Sequence, residues 1–236
     1  MEKEAKIYVA GHKGLVGGAI YRKLVADGYS NIIVADHSKL DLVRQEEVEC
    51  FFANEKPDYV IMAAARVGGI NINNKKPADF IYDNMQMACN VINAAHNSQV
   101  KKLLFLGSSC IYPKYANQPI VEDELLSGKL EETNEGYAIA KIAGLELCKF
   151  YMRQYGDRFI SCMPPNIYGP YDNYNLETSH SMAAFIRKLY EAKKSHAEKV
   201  EFWGTGNALR EYLYVDDMAD ACVFLMDNYE EESQHL

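Results

Sequence analysis

Residues 6–17, KIYVAGHKGLVG, constrain the fold more than any other stretch of the chain. An apolar, β-branched run ends at Gly11. It then passes through Gly11, His12, Lys13, Gly14, Leu15, Val16 and Gly17 into the helical pattern LVGGAIYRKLVADG. Glycines at that spacing let a backbone turn tightly and approach a diphosphate closely. The free N–H groups of the following helix then meet its charge. In a strand-turn-helix setting the reading is the first unit of a dinucleotide-binding fold.

The rest of the pattern agrees. The runs NIIVA, DYVIMAA, KLLFLGS and RFISCMP alternate with amphipathic segments such as RQEEVECFFANE. Such alternation predicts an α/β chain of Rossmann type: a doubly wound parallel sheet with helices on both faces. Long helices are expected at 77–98, opened by Pro77, and at 135–155. Beyond Pro164, PPNIYGPYDNYNLETSH reads as loop. Residues 1–165 are expected to form the dinucleotide-binding domain, and 166–236 a partial substrate-binding region interleaved with the last sheet elements.

Composition excludes several classes. A chain of 236 residues, 48% hydrophobic and 25% charged, can bury one sizeable core, and it holds no run apolar enough to span a bilayer. A net charge of -8 argues against nucleic acid or anionic membrane as partners. The acidic N-terminus MEKEAKIYVAG enters a strand at once and resembles no leader, which points to the cytoplasm. The cysteines Cys50, Cys89, Cys110, Cys148, Cys162 and Cys222 lack C-x-x-C spacing, so no metal site is expected and they read as small buried hydrophobes. Cys110 is the exception, because in LFLGSSCIYP a strand runs straight into two hydroxyls and a thiol.

Asp36, after the second strand, suits the ribose 2′-hydroxyl of NAD, whereas Lys13, His37 and Lys39 suit the 2′-phosphate of NADP. The residues alone leave both open. Tyr137 and Lys141, in YAIAK, share a helix face. A neighbouring ammonium is expected to lower the tyrosine pKa from about 10, which would suit Tyr137 to protonate a carbonyl under reduction. Tyr190 and Lys194 repeat that spacing, but only the first pair follows a strand ending near Ser108.

The motifs GHKGLVG, AAARVGGI, PADFIYDNM, LLFLGSSCIYPK, YAIAKIAGLELC, NIYGPYDNYN and WGTGNALREYLYVDDMA span essentially the whole chain. In that order they resemble the extended short-chain dehydrogenase/reductase family, and within it the GDP-4-keto-6-deoxy-D-mannose epimerase-reductases. The resemblance implies a bifunctional oxidoreductase and isomerase that makes GDP-L-fucose, with NADP(H) in preference to NAD(H). It assigns Ser108, Tyr137 and Lys141 to the reduction, and Cys110 with His180 to proton transfer at C3 and C5 of the keto sugar. A free thiol, with a pKa of about 8.5, must be shifted or paired to act as a base near neutrality.

For the cofactor the resemblance implies residues 11–17 together with His37, Asp41, Leu42, Leu106, Ser109, Lys141, Pro164, Asn166, Ile167 and His180. It gives Lys188, Trp203 and Arg210 to the GDP-sugar. Without it, Trp203 reads as core and Arg210 as an ion-pair partner of Glu211 or Asp217. A homodimer is implied through the helices at 77–98 and 135–155. Their residues Met85, Cys89, Ile92, Ile142 and Leu145 suit either that interface or the core.

The chain departs from the family at Lys13, His37 and Lys188, where arginines are common, and at Pro165, where a threonine is usual. Family members also continue for about a further quarter of their length. The resemblance therefore implies a fragment, a second polypeptide that completes the site, or impaired catalysis. Two alternatives follow: the same chemistry on a colitose-type GDP-4-keto-dideoxy sugar, or a non-catalytic nucleotide-binding remnant.

Overall fold

Five short parallel strands organise the molecule, and the computed structural model describes residues 1–230 around them. Residues 231–236, the end of the expected second region, lie outside the described residues. The strands are β1 (Ile7–Ala10), β2 (Ile32–Ile33), β3 (Tyr59–Met62), β4 (Lys102–Leu106) and β5 (Phe159–Cys162), in the order β2-β1-β3-β4-β5. The chain reverses direction across the sheet between β1 and β3, so a crevice opens beyond their carboxyl ends.

Alternation within the strands builds two cores. Tyr8, Ala10, Val60, Met62, Leu103, Phe105 and Phe159 face α2 (Gln45–Glu55), α4 (Pro77–Asn97) and α5 (Glu135–Tyr155). Ile7, Val9, Ile61, Leu104, Leu106 and Ile160 face α1 (Leu15–Ala26) and α7 (Val215–Asn228). Strands buried on both faces read as nearly continuous apolar runs, broken here only by the buried Lys102 and Ser161. Each fully buried Ile, Leu or Phe contributes about 1.5–3 kcal/mol.

Helix ends follow local chemistry. Pro77 occupies the first turn of α4, and Gly156, at φ 77°, closes α5 with its N–H on the Met152 carbonyl. A further short helix, α3 (Ile70–Lys75), lies between β3 and α4, and α6 (Ser181–Ser195) opens after the turn-rich stretch that ends at His180.

Three expectations need correction. The NIIVA run pairs only over Ile32–Ile33, at the β1 edge of the sheet. The stretch after Pro164 is not all loop: β6 (Asn166–Tyr168) pairs in parallel with β7 (Tyr212–Tyr214). Its partner lies more than forty residues away, so no local pattern marks it. Cys50 and Cys89 are exposed, while Cys148, Cys162 and Cys222 are buried as expected. Ile92, Ile142 and Leu145 are core residues, because α4 and α5 pack on each other and on the sheet. Among the described residues, no helix is long and apolar enough to cross a membrane.

Candidate active site

The glycine turn sits at the mouth of the crevice. Gly11 adopts φ 85°, and a Cβ there would stand 2.7 Å from the Ala64 nitrogen at the end of β3. A Cβ on Gly17 would lie 2.3 Å from the Gly11 carbonyl oxygen, so α1 starts directly against the turn. Gly14 donates its N–H to that same carbonyl at 2.9 Å. No side chain caps α1, which leaves its first N–H groups facing outward. A cradle that a methyl group would fill, lined by free donors, fits a dinucleotide diphosphate.

Beside it, Asp36 is held by Lys13 at 2.8 Å and by His12 at 3.3 Å. The hydrogen bond from Lys13 keeps the Asp36 carboxyl below its ordinary pKa. The acidic residue is thus offset by a cation rather than standing alone. His37 is exposed and lies 3.8 Å from Asp41, whose carboxylate also accepts from the Val43 N–H at 3.1 Å. Leu42 is buried, and its carbonyl accepts from Asn90 on α4.

A second group gathers where β4 ends. Ser108 caps a single 3-10 turn, Ser109–Ile111, and its hydroxyl accepts from the Cys110 N–H at 3.4 Å. The Ser109 N–H reaches the Pro164 carbonyl at 3.0 Å, which ties this turn to the approach of β6, where Asn166 and Ile167 lie. Helix α5 brings Tyr137 beside Ser108, whose hydroxyl acts to lower the phenol's pKa. One turn later the buried Lys141 donates to the Leu106 carbonyl at 2.6 Å, with its ammonium 5.7 Å from the centre of the Tyr137 ring. Ser108, Cys110, Tyr137 and Lys141 therefore form one cluster.

Its electrostatics differ from the sequence expectation at Tyr137. Burial pushes the Tyr137 phenol above its ordinary value, with the nearby Cys110 adding to the rise and the Ser108 hydroxyl opposing it. The ammonium four residues on does not reverse this, because it is itself enclosed: burial brings Lys141 down to about 8, against the pull of Cys110 and Cys162. Burial also raises the Cys110 thiol, with Ser108 and Lys141 working in the opposite sense. At rest Cys110 is a thiol rather than the thiolate a base requires.

His180 comes from a different element, as the residue that opens α6. Part of its surface is open, yet enclosure by surrounding protein lowers its pKa, while Asp172 acts to raise it. Asp172 was not singled out from the sequence; nothing about a lone acid in a turn-rich stretch marks it. On α6, Lys188 donates to the Glu201 carbonyl at 3.0 Å and lies 6.0 Å from the Trp203 ring centre. Trp203 is 85% exposed and so is not core. The exposed Arg210 donates to the Leu209 carbonyl at 2.7 Å and makes no ion pair with Glu211 or Asp217, the partners it would have had without the resemblance. Lys188 and Trp203 are brought together, and Arg210 lies on the same exposed segment between α6 and β7.

A glycine turn at the switch point of a parallel sheet, with hydroxyl, phenol and buried ammonium gathered after another strand of that sheet, defines an oxidoreductase of Rossmann type. The comparisons with known proteins carry this further. The chain belongs to the NAD dependent epimerase/dehydratase family, whose model matches residues 7–236. It is 59% identical over 228 residues to GDP-L-fucose synthase 1 of Arabidopsis thaliana, covering 97% of this chain and 71% of that protein. It is 37% identical over 232 residues to GDP-L-colitose synthase of Yersinia pseudotuberculosis, covering 98% and 75%. Among solved structures, a GDP-L-fucose synthetase from Naegleria fowleri bound to NADP superposes with a TM-score of 0.90 at 29% identity, covering 100% of this chain and 77% of that one.

Proposed function

We propose that this chain converts GDP-4-keto-6-deoxy-D-mannose to GDP-L-fucose, epimerising the sugar at C3 and C5 and reducing it at C4. The observation that carries the reading is the cluster of Ser108, Cys110, Tyr137 and Lys141 on the same sheet as the glycine turn. A reductase alone needs no thiol there. Close identity to a GDP-L-fucose synthase supports the same substrate.

NADPH, when bound, supplies the hydride to C4. The turn at residues 11–17 would hold its diphosphate. Lys13 and His37 would face the 2′-phosphate, with Asp36 already offset by Lys13. Asp41, Leu42, Leu106, Ser109, Pro164, Asn166, Ile167 and His180 would complete its surroundings, and the NADP-bound relative supports this choice over NAD.

Tyr137 donates the proton that the C4 oxygen takes up. Ser108 orients the phenol, and the Lys141 ammonium stabilises the phenolate that remains. The 4-keto group acidifies the hydrogens on both flanking carbons. Cys110 and His180 exchange protons with those carbons from opposite faces of the ring, one removing and the other returning. Lys188, Trp203 and Arg210 receive the GDP portion, the arginine offering its fork of donors to the diphosphate.

We also place a homodimer on the outer sides of α4 and α5, where Tyr82, Cys89, Ile139 and Phe150 are exposed. Six free thiols suit a reducing compartment and support the cytoplasm as its location.

The test is NADPH oxidation by this chain with GDP-4-keto-6-deoxy-D-mannose, the product identified by NMR. The expected result is GDP-L-fucose. Turnover only of a 3-deoxy sugar would move the assignment to a colitose-type substrate. NADPH binding without turnover would overturn the reading for this chain.

A further inference from the structure

We infer that Gly69 is a positioning residue for His180, a role that rests on the proposed part of His180 in epimerisation. Gly69 lies in the VGGI stretch after β3, at the start of α3. Its N–H donates to the Thr178 carbonyl at 3.2 Å. A Cβ on Gly69 would stand 2.7 Å from the Ser179 carbonyl oxygen. Only a residue without a side chain allows the 178–179 backbone to lie against this platform, and the next residue is His180.

Both sides of the contact are held. On the platform side, Arg66 is bound by Asp83 and, at 3.1 Å, by Asp79, both on α4. Asn84, also on α4, brackets the Arg66 backbone, accepting from its N–H at 2.8 Å and donating to its carbonyl at 3.0 Å. The buried Asn73 donates to the Gly68 carbonyl at 2.6 Å and to the Gly69 carbonyl at 3.2 Å. The platform is thus fastened to α4, which packs on α5, the helix that carries Tyr137 and Lys141.

On the loop side, the N–H groups of Thr178 and Ser179 both reach the Asn175 carbonyl, at 3.2 and 2.8 Å. Asn173 donates to the Thr178 hydroxyl at 2.9 Å, and the Asn175 side chain accepts from the Glu177 N–H at 2.9 Å. A segment bonded to itself in this way shifts as a unit. His180 is joined to it directly and hands its carbonyl to the Ala184 N–H at 3.0 Å, inside α6.

A methyl group at residue 69 has to gain about 0.7 Å to move from 2.7 Å to the ordinary contact distance of 3.4 Å. The opposing atom is backbone and cannot swing aside, so the displacement passes to His180. Misplacement on the scale of 1 Å costs up to about 100-fold in a step that depends on alignment. Gly69 would thereby set the distance between the imidazole and the Cys110–Tyr137 side of the sugar.

The experiment compares Gly69→Ala, Asn173→Ala and His180→Gln in the full chain. Each is assayed for solvent deuterium entry into the keto sugar, for reduction of the already epimerised 4-keto sugar, and for NADPH affinity. Gly69→Ala is expected to slow deuterium entry about 10- to 100-fold, with NADPH affinity and reduction of the epimerised sugar within about twofold of the parent. Asn173→Ala, which loosens the same loop from its other side without crowding the platform, is expected to show the same selective loss to a smaller degree. This second variant decides the matter if Gly69→Ala does not fold. Loss of deuterium entry in His180→Gln with parental values in Gly69→Ala, or in Asn173→Ala where that variant decides, would overturn the positioning role and leave the assignment of His180 standing. Parental deuterium entry in His180→Gln would overturn that assignment and the inference with it. Equal losses in entry and reduction for Gly69→Ala would show general distortion and also overturn it.

Discussion

Lys141, proposed to stabilise the phenolate, shows at a single residue how such a role is set against stability. Its ammonium is enclosed, and burial brings its pKa down to about 8 from 10.5. Below about pH 8 the folded and unfolded chains both carry the proton, so the cost of burying the charge is fully present. Between about 8 and 10.5 the unfolded chain holds a proton that the folded chain has released, and stability rises with pH. Above that window the difference vanishes. Lys141→Met removes a cost of up to about 3 kcal/mol. It also orphans the Leu106 carbonyl, which costs about 1–2 kcal/mol. The expected outcome is a gain of about 1–2 kcal/mol in urea unfolding at pH 7, shrinking towards pH 10, with reduction of the keto sugar lost. A variant less stable than the parent at pH 7 would show that the bond to Leu106 outweighs the buried charge.

At the scale of elements, α5 and β4 carry the proposed reducing group. Tyr137 and Lys141 lie in the first turns of α5, while Ser108 and Cys110 follow β4. Their relative placement depends on how closely the helix lies on the strand. Gly144, one turn beyond Lys141, allows that approach: a Cβ there would meet the buried Phe105 ring at 2.4 to 3.0 Å. Alanine is favoured over glycine in a helix by about 1 kcal/mol, but overpacking a filled core costs about 1–3 kcal/mol. The ring is enclosed, so the clash prevails. Gly144→Ala is expected to lose about 1–2 kcal/mol in thermal or urea unfolding and to lower turnover more than NADPH affinity, because the glycine turn lies elsewhere. Unchanged stability and rate would mean that Phe105 can rotate out of the way.

At the scale of the whole molecule, the outer sides of α4 and α5 bear Tyr82, 61% exposed, and Phe150, 48% exposed, on helices otherwise committed to the core. A second copy of the chain is the partner proposed for this face. Phe150→Glu would bury a carboxylate in such an interface. Sedimentation velocity is expected to show the parent as a dimer and this variant as a monomer with parental NADPH affinity. A monomeric parent would remove the dimer from the account. The same scale governs the last helix. Although it follows β7 and the exposed segment near Trp203, α7 returns to pack on α1 and buries Val215, Met218, Cys222 and Met226. The Met1 amino group and the Tyr29 hydroxyl both bind Asp227 on α7, at 2.7 and 2.9 Å. We therefore read residues 166–230 as part of one cooperative unit with the sheet, and expect a chain cut at 165 not to fold.

Much of this was determined by the sequence alone. Local rules decide the glycine turn, the two long helices, the order of strands and helices, and the four-residue spacing of Tyr137 and Lys141. Backbone sterics and hydrophobic periodicity act over a few residues and leave their marks there. The tertiary structure decided what depends on distant partners. It paired β6 with β7, left Trp203 exposed, set Lys13 against Asp36, and laid Gly69 under the backbone beside His180. It also reversed the expected shift of Tyr137, because spacing on a helix specifies which charges are neighbours but not how much water surrounds them. Burial depends on the whole packed molecule, and at this site it is the largest cause of the rise.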